Sequence, residues 1–491
     1  ANDNTAVGAS ALNVFTGSNA TAVGSGAADV AGTNANITAI GYNALGSATS
    51  GGNNTAVGAQ CLDGTINGVN NTAVGQGSLS VDCADYNVAV GTSALNAFTG
   101  SNATAVGSGA ADVATSAAKI TAVGKDALSN CVTGSTNTAV GALSANYAVN
   151  GNNTFVGAES AEYLGAATHT VAIGVQALRG TTFTDGTCDL THGADPTKVQ
   201  CDSTSNKVAD MVVTGAGIPA GTKITAIDSG TVFSINNSAT TSQTNETLTF
   251  YPNQGDYNVA IGNYALDATT TGHSNIAIGY IAGSGINTGA DNLLIGRAAG
   301  YALTDNANNI AIGSYALDAA TGGENYNIAI GTNALGAENS NADGCVAIGH
   351  SALANQNTDS SNNVAVGYSA ALNLDGGIDS VYMGYLAGGV GAITGDYNVA
   401  IGKDALLNAT SPESCVFIGA YSGGLGVVTG NANTAVGYGT AYDLTSGAGN
   451  VLIGYDCGKN ITTAGNMVAI GYNALDAVTT TGLVDGAVAI G

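Results

Sequence analysis

The chain repeats a short pattern of aliphatic, small and polar residues at nearly constant intervals. The pattern is clearest where Thr55, Ala56 and Val57 precede Gly58. We take this glycine as the marker of each copy, and offsets count residues before (−) or after (+) it. There are 25 copies. Successive markers are 16 to 18 residues apart, except for one gap of 88 residues and a final step of 20 residues. A period of this kind predicts a stack of similar structural units.

The residues before the marker predict one β-strand in each copy. Position −1 is Val or Ile in every copy except Met383, and position −3 is Thr in ten copies and Val, Ile or Leu in the other fifteen. In an extended chain these two positions share one face, whereas position −2 and the glycine share the other. Frequent glycine and β-branched residues disfavour a helix. The sequence therefore predicts an all-β fold, a parallel β-solenoid of about 25 coils with a 17-residue period.

Positions −2 and +4 exchange size. All thirteen copies with Leu at +4 have Ala at −2. Where −2 is large, as at Phe155 or Tyr382, +4 is small, as at Ala161 or Gly388. This exchange predicts that both positions fill one densely packed volume. Both faces of the strand are then expected to be buried, one in the coil interior and the other against a second layer, for which another copy of the chain is the candidate.

The aliphatic residues at −1 are therefore assigned to the core of the repeat. The representatives are Val57, Val74, Val140, Ile261, Ile278, Ile312, Ile330, Ile401 and Ile470. Asn lies at −4 in fifteen copies, and glycines often lie two or three residues earlier. These residues predict the turns between coils, and stacked Asn side chains predict ladders. Sequons such as Asn19–Thr21 leave glycosylation as an alternative role for some of them.

Residues 181–254 interrupt the period. They contain three of the four prolines and three of the seven lysines, with strand-like runs at 211–214, 223–228, 231–236 and 246–251. We expect a small antiparallel β module here, between a solenoid of eleven coils in residues 1–180 and one of fourteen coils in residues 255–491. Cys188 and Cys201 are candidates for a disulfide that stabilises its small core. The other six cysteines are expected to be buried thiols.

Composition excludes several classes of function. Only 9% of residues are charged, and the net charge is −25 with nine Lys and Arg. Nucleic-acid and acidic-membrane binding both need a basic face, so neither is expected. The sequence has no run of eighteen apolar residues, which argues against membrane insertion.

Candidate chemistry is sparse. The four histidines lie far apart, and neither a nucleophile elbow nor a phosphate-binding loop is present. We expect a protein that is not an enzyme and has no cofactor. One cluster recurs, Asp or Asn followed by Tyr and Asn, at 85–87, 256–258, 325–327 and 396–398. Calcium binding is an alternative there, but a turn with a packed tyrosine is favoured because a calcium site needs several converging carboxylates.

The run Asn-Thr-Ala-Val-Gly-x-x-Ala-Leu, with variants ending Val-Ala-Ile-Gly at 258–262 and 398–402, resembles the repeats of trimeric autotransporter adhesin heads and related bacteriophage tail-fibre proteins. The resemblance covers all but the insert. In those families each repeat is one turn of a parallel β-roll, and three chains pack side by side. It implies a homotrimer at an extracellular, cell-surface or virion location. This chain departs from the families in its longer repeat and in lacking a recognisable stalk, anchor or chaperone.

The expected function is that of a structural protein, a stiff shaft in an extracellular or virion fibre. An adhesin or receptor-binding fibre, recognising a cell-surface glycan through residues 181–254, is the main alternative. Ice binding is another, but it needs regular Thr arrays, and Thr is confined mainly to −3 in the first half. The chain opens near Asn4 and stops at Gly491 without polar caps, so we expect either caps supplied from elsewhere or head-to-tail filaments.

Overall fold

The chain folds into two compact units, Ala1–Ser274 and Asn275–Gly491. The computed structural model describes residues 3–491 apart from short gaps. No helix occurs in the described residues, which confirms the all-β prediction. The gaps are residues 31, 116, 132–133, 148–149, 166, 181–182, 191–194, 205–206, 208–210, 220–221, 252–254, 320–323, 337–341, 357–359 and 477–484.

The first unit contains twelve described solenoid strands that pair parallel and in register. Each residue of a strand faces the residue at the same offset in the next coil, as Thr55 faces Thr72 and Ala56 faces Ala73. The strands are β1 Thr5–Val7, β2 Ser18–Val23, β3 Ala35–Ile40, β4 Thr55–Val57, β5 Thr72–Val74, β6 Val88–Val90, β7 Thr104–Val106, β8 Thr121–Val123, β9 Thr138–Val140, β10 Thr154–Val156, β11 Val171–Ile173 and, after the insert, β18 Val259–Ile261.

The second unit contains thirteen described solenoid strands with the same parallel register, as in the pair Ile310 and Ile328. These strands are β19 Ile276–Ile278, β20 Leu293–Ile295, β21 Ile310–Ile312, β22 Ile328–Ile330, β23 Val346–Ile348, β24 Val364–Val366, β25 Val381–Met383, β26 Val399–Ile401, β27 Val416–Ile418, β28 Thr434–Val436, β29 Val451–Ile453, β30 Val468–Ile470 and β31 Val488–Ile490. The predicted parallel β-solenoid is confirmed.

The insert is a six-stranded antiparallel sheet in the first unit, with strand order β14-β17-β12-β13-β16-β15. Its last four strands match the predicted runs, but β12 and β13 were missed because Asp, Gly, Lys and Gln dilute their hydrophobic pattern. After the insert, Val171 faces Val259 and Ile173 faces Ile261, so the solenoid register continues unchanged. The strands are β12 Phe183–Leu190, β13 Lys198–Gln200, β14 Val212–Thr214, β15 Ile224–Ile227, β16 Val232–Ile235 and β17 Gln243–Tyr251.

The coil interior is filled by the residues at −2 and +4. Ala56 and Leu62 are both fully buried. A Cβ atom added at Gly300 would lie 2.8 Å from Leu294 Cδ2, and one added at Gly423 would lie 2.7 Å from Phe417 Cε1. The two positions therefore compete for the same space, which confirms the predicted shared volume.

The residue at +4 has a left-handed backbone, which the sequence pattern did not predict. Leu62 has φ 49° and Leu178 has φ 52°. A β-branched side chain is strained in this conformation, whereas Gly adopts it freely and Leu or Ala at a modest cost. Position +4 accordingly holds only Leu, Ala or Gly.

The marker glycine is required by both its backbone and its neighbours. Gly58 has φ +137°, and a Cβ atom there would lie 2.6 Å from the carbonyl oxygen of Gly75 in the next coil. Any side chain would push adjacent coils apart. This close approach explains why the glycine recurs in every coil.

The assignment of the −1 residues to the core of the repeat is wrong for the single chain. Their side chains lie outside the coil and are half-buried or exposed, because Ala at −2 points inwards and the strand alternates. Val74, for example, is 36% exposed, whereas its neighbour Ala73 is fully buried. The residues concerned are Val57, Val74, Val140, Ile261, Ile278, Ile312, Ile330, Ile401 and Ile470.

The Asn residues at −4 form buried ladders, as predicted. Asn54 Oδ1 accepts a hydrogen bond of 2.8 Å from the backbone N–H of Asn71, and Asn71 Oδ1 accepts one of 2.8 Å from the N–H of Asn87. Asn54 Nδ2 donates to the carbonyl oxygen of Gly68, also over 2.8 Å. Each of these amides thus joins the turn of one coil to the backbone of the next, and its donor and acceptor are both used.

Cysteine replaces Asn at two rungs of this ladder. Cys415 Sγ lies 3.3 Å from the carbonyl oxygen of Gly430, to which it donates, and accepts from the N–H of Asn433 over 3.4 Å. Cys345 Sγ donates to Ser360 O over 3.2 Å. A thiol can therefore fill both roles of the amide, although each hydrogen bond is weaker.

The shared interior volume is tested by Ala56→Phe and Leu62→Gly. The single change Ala56→Phe should lower the free energy of unfolding by about 1–3 kcal/mol because it overpacks the coil. Adding Leu62→Gly recreates the natural combination of Phe417 with Gly423 and should restore much of the loss. A double-mutant cycle from denaturant unfolding measures the coupling, and simple additivity would refute the shared volume.

The Asn ladder is tested at Asn309. Its Oδ1 accepts from Asn327 N over 3.0 Å, and its Nδ2 donates to Glu324 O over 3.0 Å. Asn309→Ala leaves the N–H of Asn327 without its acceptor, whereas Glu324 O keeps its bond from Asn306 Nδ2, and the change should cost about 1–3 kcal/mol. Asn309→Cys is the matched control and should cost less, as the thiol of Cys415 implies. Equal losses for the two variants in denaturant unfolding would contradict a hydrogen-bonding role.

Candidate functional site

The outward face of the solenoid strands is the first candidate surface. We define it as the side chains at −1 and −3 of each coil. In the second unit it consists of two rows that are aliphatic except for Thr434 and Met383. Ile276, Ile348 and Ile470 are 37–38% exposed although they lie within the sheet. No copy carries a charged residue at either position. An uncharged and largely aliphatic sheet face of this length is typical of a surface that packs against another β layer.

The outward face of the first unit is more polar. Position −3 is Thr in nine of its twelve coils, whereas −1 remains Val or Ile. One row of hydroxyl groups thus runs beside one aliphatic row. Ice binding, an alternative considered from the sequence, would use this single Thr row.

A column of aromatic and basic side chains is the second candidate surface, and it lies in the second unit. We define the tyrosine column as His350, Tyr368, Tyr385, Lys403, Tyr421, Tyr438, Tyr455 and Tyr472. All lie one residue after the marker except Tyr421, which lies two after it. Because coils stack in register, side chains at this offset come together along the solenoid.

The rings of the column stack on one another. Tyr368 and Tyr385 have ring centroids 5.4 Å apart at 14°, and Tyr438, Tyr455 and Tyr472 follow at 5.1 and 5.2 Å. Lys403 Nζ donates to the Tyr421 hydroxyl over 2.8 Å, and this hydrogen bond raises the Lys403 pKa. The column is exposed, with Tyr455 46% and Tyr472 70% accessible.

A crevice of about 370 Å³ opens where the stacking is broken. The rings of Tyr421 and Tyr438 meet edge to face at 76°. Lys459 Nζ lies 3.1 Å from Asp456 Oδ2, a hydrogen bond that raises the Lys459 pKa, and 5.9 Å from the centre of the Tyr442 ring. The crevice therefore brings together aromatic, basic and acidic groups, which suits a polar ligand with some apolar surface.

The insert is the third candidate. Cys188 and Cys201 form a disulfide, as the sequence predicted. Asp185 lies close enough to both cysteines to make a metal-binding set, but the disulfide occupies their sulfur atoms. Lys207 is buried and pairs with Asp185 over 2.9 Å, which contributes to a lowered pKa of that carboxyl although burial opposes it.

The insert contacts the solenoid of its own unit. Val212 packs against Tyr147 and Tyr163, and Lys223 Nζ donates to Asn150 Oδ1 over 3.3 Å. These contacts hold the small sheet against the coils from which it emerges.

The recurring Asp-Tyr-Asn corners do not assemble carboxylates. Asp85 Oδ1 accepts from Val69 N over 2.9 Å, and Asp396 Oδ1 accepts from Ile378 N over 3.0 Å. Asp256 Oδ1 accepts from both N and Oγ1 of Thr168, over 2.7 and 3.0 Å. These acids therefore act as rungs between coils. Calcium at these corners remains untested.

Histidines and thiols are dispersed. His169 stacks on Tyr257 at 5.5 Å, and His350 stacks on Tyr368 at 5.0 Å. His192 lies outside the described residues. The six cysteines outside the disulfide are buried thiols, and burial raises the pKa of Cys131 to about 11. Thiols held in the protonated form are poor nucleophiles.

Comparison with known proteins finds no matching family model and no curated protein with significant similarity. Among the described residues, no helix is long and apolar enough to cross a membrane. The sequence reasoning missed the tyrosine column, although its signal was present. Position +1 is Tyr in six of twelve coils of the second unit but in one of twelve coils of the first.

A buried acid predicts a pH effect on stability. Asp318 Oδ1 is buried with no hydrogen-bond partner among the described residues, and burial raises the Asp318 pKa to about 6. Because this folded-state pKa lies above the unfolded value of about 3.9, its contribution to stability is complete below about pH 4 and is lost as pH rises through about 6. Asp318→Asn should remove this dependence.

The measurement is the melting temperature of both proteins across that range. The melting temperature of the variant minus that of the native chain should increase as pH rises from about 4 to 7. Parallel curves would show that Asp318 does not titrate in this way.

Proposed function

We propose that this protein is a structural component of an extracellular or virion fibre, a β-solenoid shaft whose outward faces pack against those of other copies. The observation that carries the proposal is the outward face, which is uncharged, largely aliphatic in the second unit and continuous over its thirteen strands. The resemblance of the repeats to trimeric adhesin heads and phage tail fibres favours three copies.

The area of the outward face supports the proposal. Strands about 4.8 Å apart make a stripe roughly 60 Å long and about 10 Å wide in the second unit, or about 600 Å². The outward face of the first unit has a similar area. Each face by itself therefore amounts to about three quarters of the roughly 800 Å² that each partner contributes to a stable interface of standard size. Two flat β layers packed through Val and Ile would also exclude water from side chains that the single chain leaves half-exposed.

The charge distribution is consistent with packing at this face. The chain has a net charge of −25, which makes nonspecific association of copies unfavourable. Because no charge lies at −1 or −3, the outward face avoids this repulsion at the contact itself. Receptor binding through the insert, and head-to-tail joining of shafts, stay predictions from the sequence.

The proposal is tested by placing charges on the outward face of one coil pair. Ile312→Glu with Ile330→Glu should leave the fold intact, because both side chains lie outside the coil, but should disrupt assembly by burying unpaired charges. Ser314→Glu with Thr332→Glu adds the same two charges beside the face, one residue after the marker of the same two coils, and is the control. Light scattering after size-exclusion chromatography measures the mass of the native assembly, which we expect to be three times the 47.5 kDa of the chain.

The expected result is a trimeric native protein and control, with the doubly charged variant reduced to single chains of native circular dichroism. A native protein that stays monomeric at every concentration would overturn the proposal. So would a doubly charged variant that keeps the native mass.

A further inference from the structure

The tyrosine column has no explanation in the solenoid itself. The first unit folds with the same strands, ladders and coil interior, yet Tyr42 is its one tyrosine at +1. The second unit has six, and about half of the surface area of three of them is open to solvent: Tyr368, Tyr385 and Tyr438 are 47–50% exposed. Exposed aromatic side chains concentrated on one side of one unit indicate a binding surface.

The basic residues of the second unit are concentrated beside tyrosines. Residues 275–491 contain three Lys and Arg, and each lies over a tyrosine ring. Arg297 is 5.0 Å from the centre of Tyr315, Lys403 is 5.1 Å from Tyr421, and Lys459 is 5.9 Å from Tyr442. In so acidic a chain this placement puts hydrogen-bond donors where aromatic surface is exposed.

The lysines are neutralised locally. Lys459 pairs with Asp456 over 3.1 Å, and Lys403 lies 3.7 Å from Asp404 Oδ2. The surface therefore offers donors, acceptors and phenol hydroxyls with little net charge. This chemistry matches a ligand rich in hydroxyl groups and without formal charge, and it does not match a polyanion.

The geometry matches an extended polymer. Successive rings of the column are 5.0–5.4 Å apart where they stack, close to the length of one sugar unit along an extended β-linked glycan. The stacked rings cover one another, so they present their edges and hydroxyls. At the crevice between Tyr421 and Tyr438 the edge-to-face arrangement interrupts this cover, and part of a ring face is open to a ligand.

We propose that the tyrosine column binds a neutral, extended β-linked polysaccharide, with one sugar unit seated in the crevice formed by Tyr421, Tyr438, Tyr442, Asp456 and Lys459. The sugar ring lies against the aromatic surface, and its hydroxyls bond to the Lys459 ammonium, the Asp456 carboxylate and the Tyr442 hydroxyl. Neighbouring sugar units follow the column and meet the phenol hydroxyls coil by coil. The site lies wholly in the second unit and is independent of the outward face.

The test is isothermal titration calorimetry of the full chain with cellohexaose, fully N-acetylated chitohexaose and xylohexaose as neutral β-linked probes. An alginate hexasaccharide is the anionic comparison. We expect at least one neutral probe to bind, and Tyr438→Ala and Lys459→Ala each to weaken its binding by about tenfold or more. Tyr42→Ala, which removes an exposed tyrosine at the same offset in the first unit, should bind as the native chain does.

A stabilising role of the rings alone gives a different pattern. In that case Tyr438→Ala would lower the melting temperature without any probe binding to the native chain. The proposal is overturned if all three neutral probes fail to bind, if the alginate alone binds, or if the Tyr438 and Tyr42 variants bind equally. Tyr438→Phe separates the ring from its hydroxyl, and we expect it to keep the stack and lose only part of the affinity.

Discussion

The close approach of successive coils is the constraint on which the rest of the structure depends. At the marker position the carbonyl of one coil occupies the space that a side chain would need in the previous one. Only glycine satisfies both this distance and the positive φ. In the strand before this glycine, the side chain at −2 must then point into the coil and the side chain at −1 out of it. The turn after the glycine must bring the residue at +4 against the residue at −2. The Ala-Leu packing and the outward aliphatic rows follow from that one fixed point.

The polar interior is compatible with this spacing because it is made mostly of amides and carbonyls, with Glu324 a buried exception beside Asn306. Asn at −4 has a donor and an acceptor at the distances that separate one coil from the next, so a single residue type can satisfy backbone groups along the stack. Acids with a buried environment, such as Asp267 and Asp318, have a pKa raised to about 6 by burial. Most of the chain's negative charge consequently remains on the turns, where water screens it.

Much of the fold could be predicted from single positions of the repeat. The strands, the shared volume of −2 and +4, the Asn ladders, the antiparallel insert and the Cys188–Cys201 disulfide are all present. Which face of the strand lies inside could not be decided, because alternation defines two faces and both are apolar here. The residues at −1, such as Val74, were therefore assigned to the core although the smaller Ala73 fills it. The left-handed backbone of Leu62 was missed because Leu at that position looked like ordinary core packing.

The candidate surfaces were harder to predict because each combines residues from several coils, which lie far apart in the sequence. The tyrosine column joins residues about seventeen positions apart, and only the register of the strands shows that Tyr438 meets Tyr455. Its crevice arises from one irregularity, the shift of Tyr421 from +1 to +2. A repeat pattern that records only the commonest residue at each offset does not show such an exception. The exception nevertheless determines which side chains line the crevice.

The insert leaves the solenoid after β11 and rejoins it in register at β18, with Val171 facing Val259. The two coils that flank the insert in the sequence are therefore paired neighbours in the solenoid. Any folded module whose two termini lie side by side meets the same requirement. Such a module can replace the insert without altering the hydrogen-bond pattern of the solenoid, so the sequences of the insert and of the solenoid can vary independently of each other.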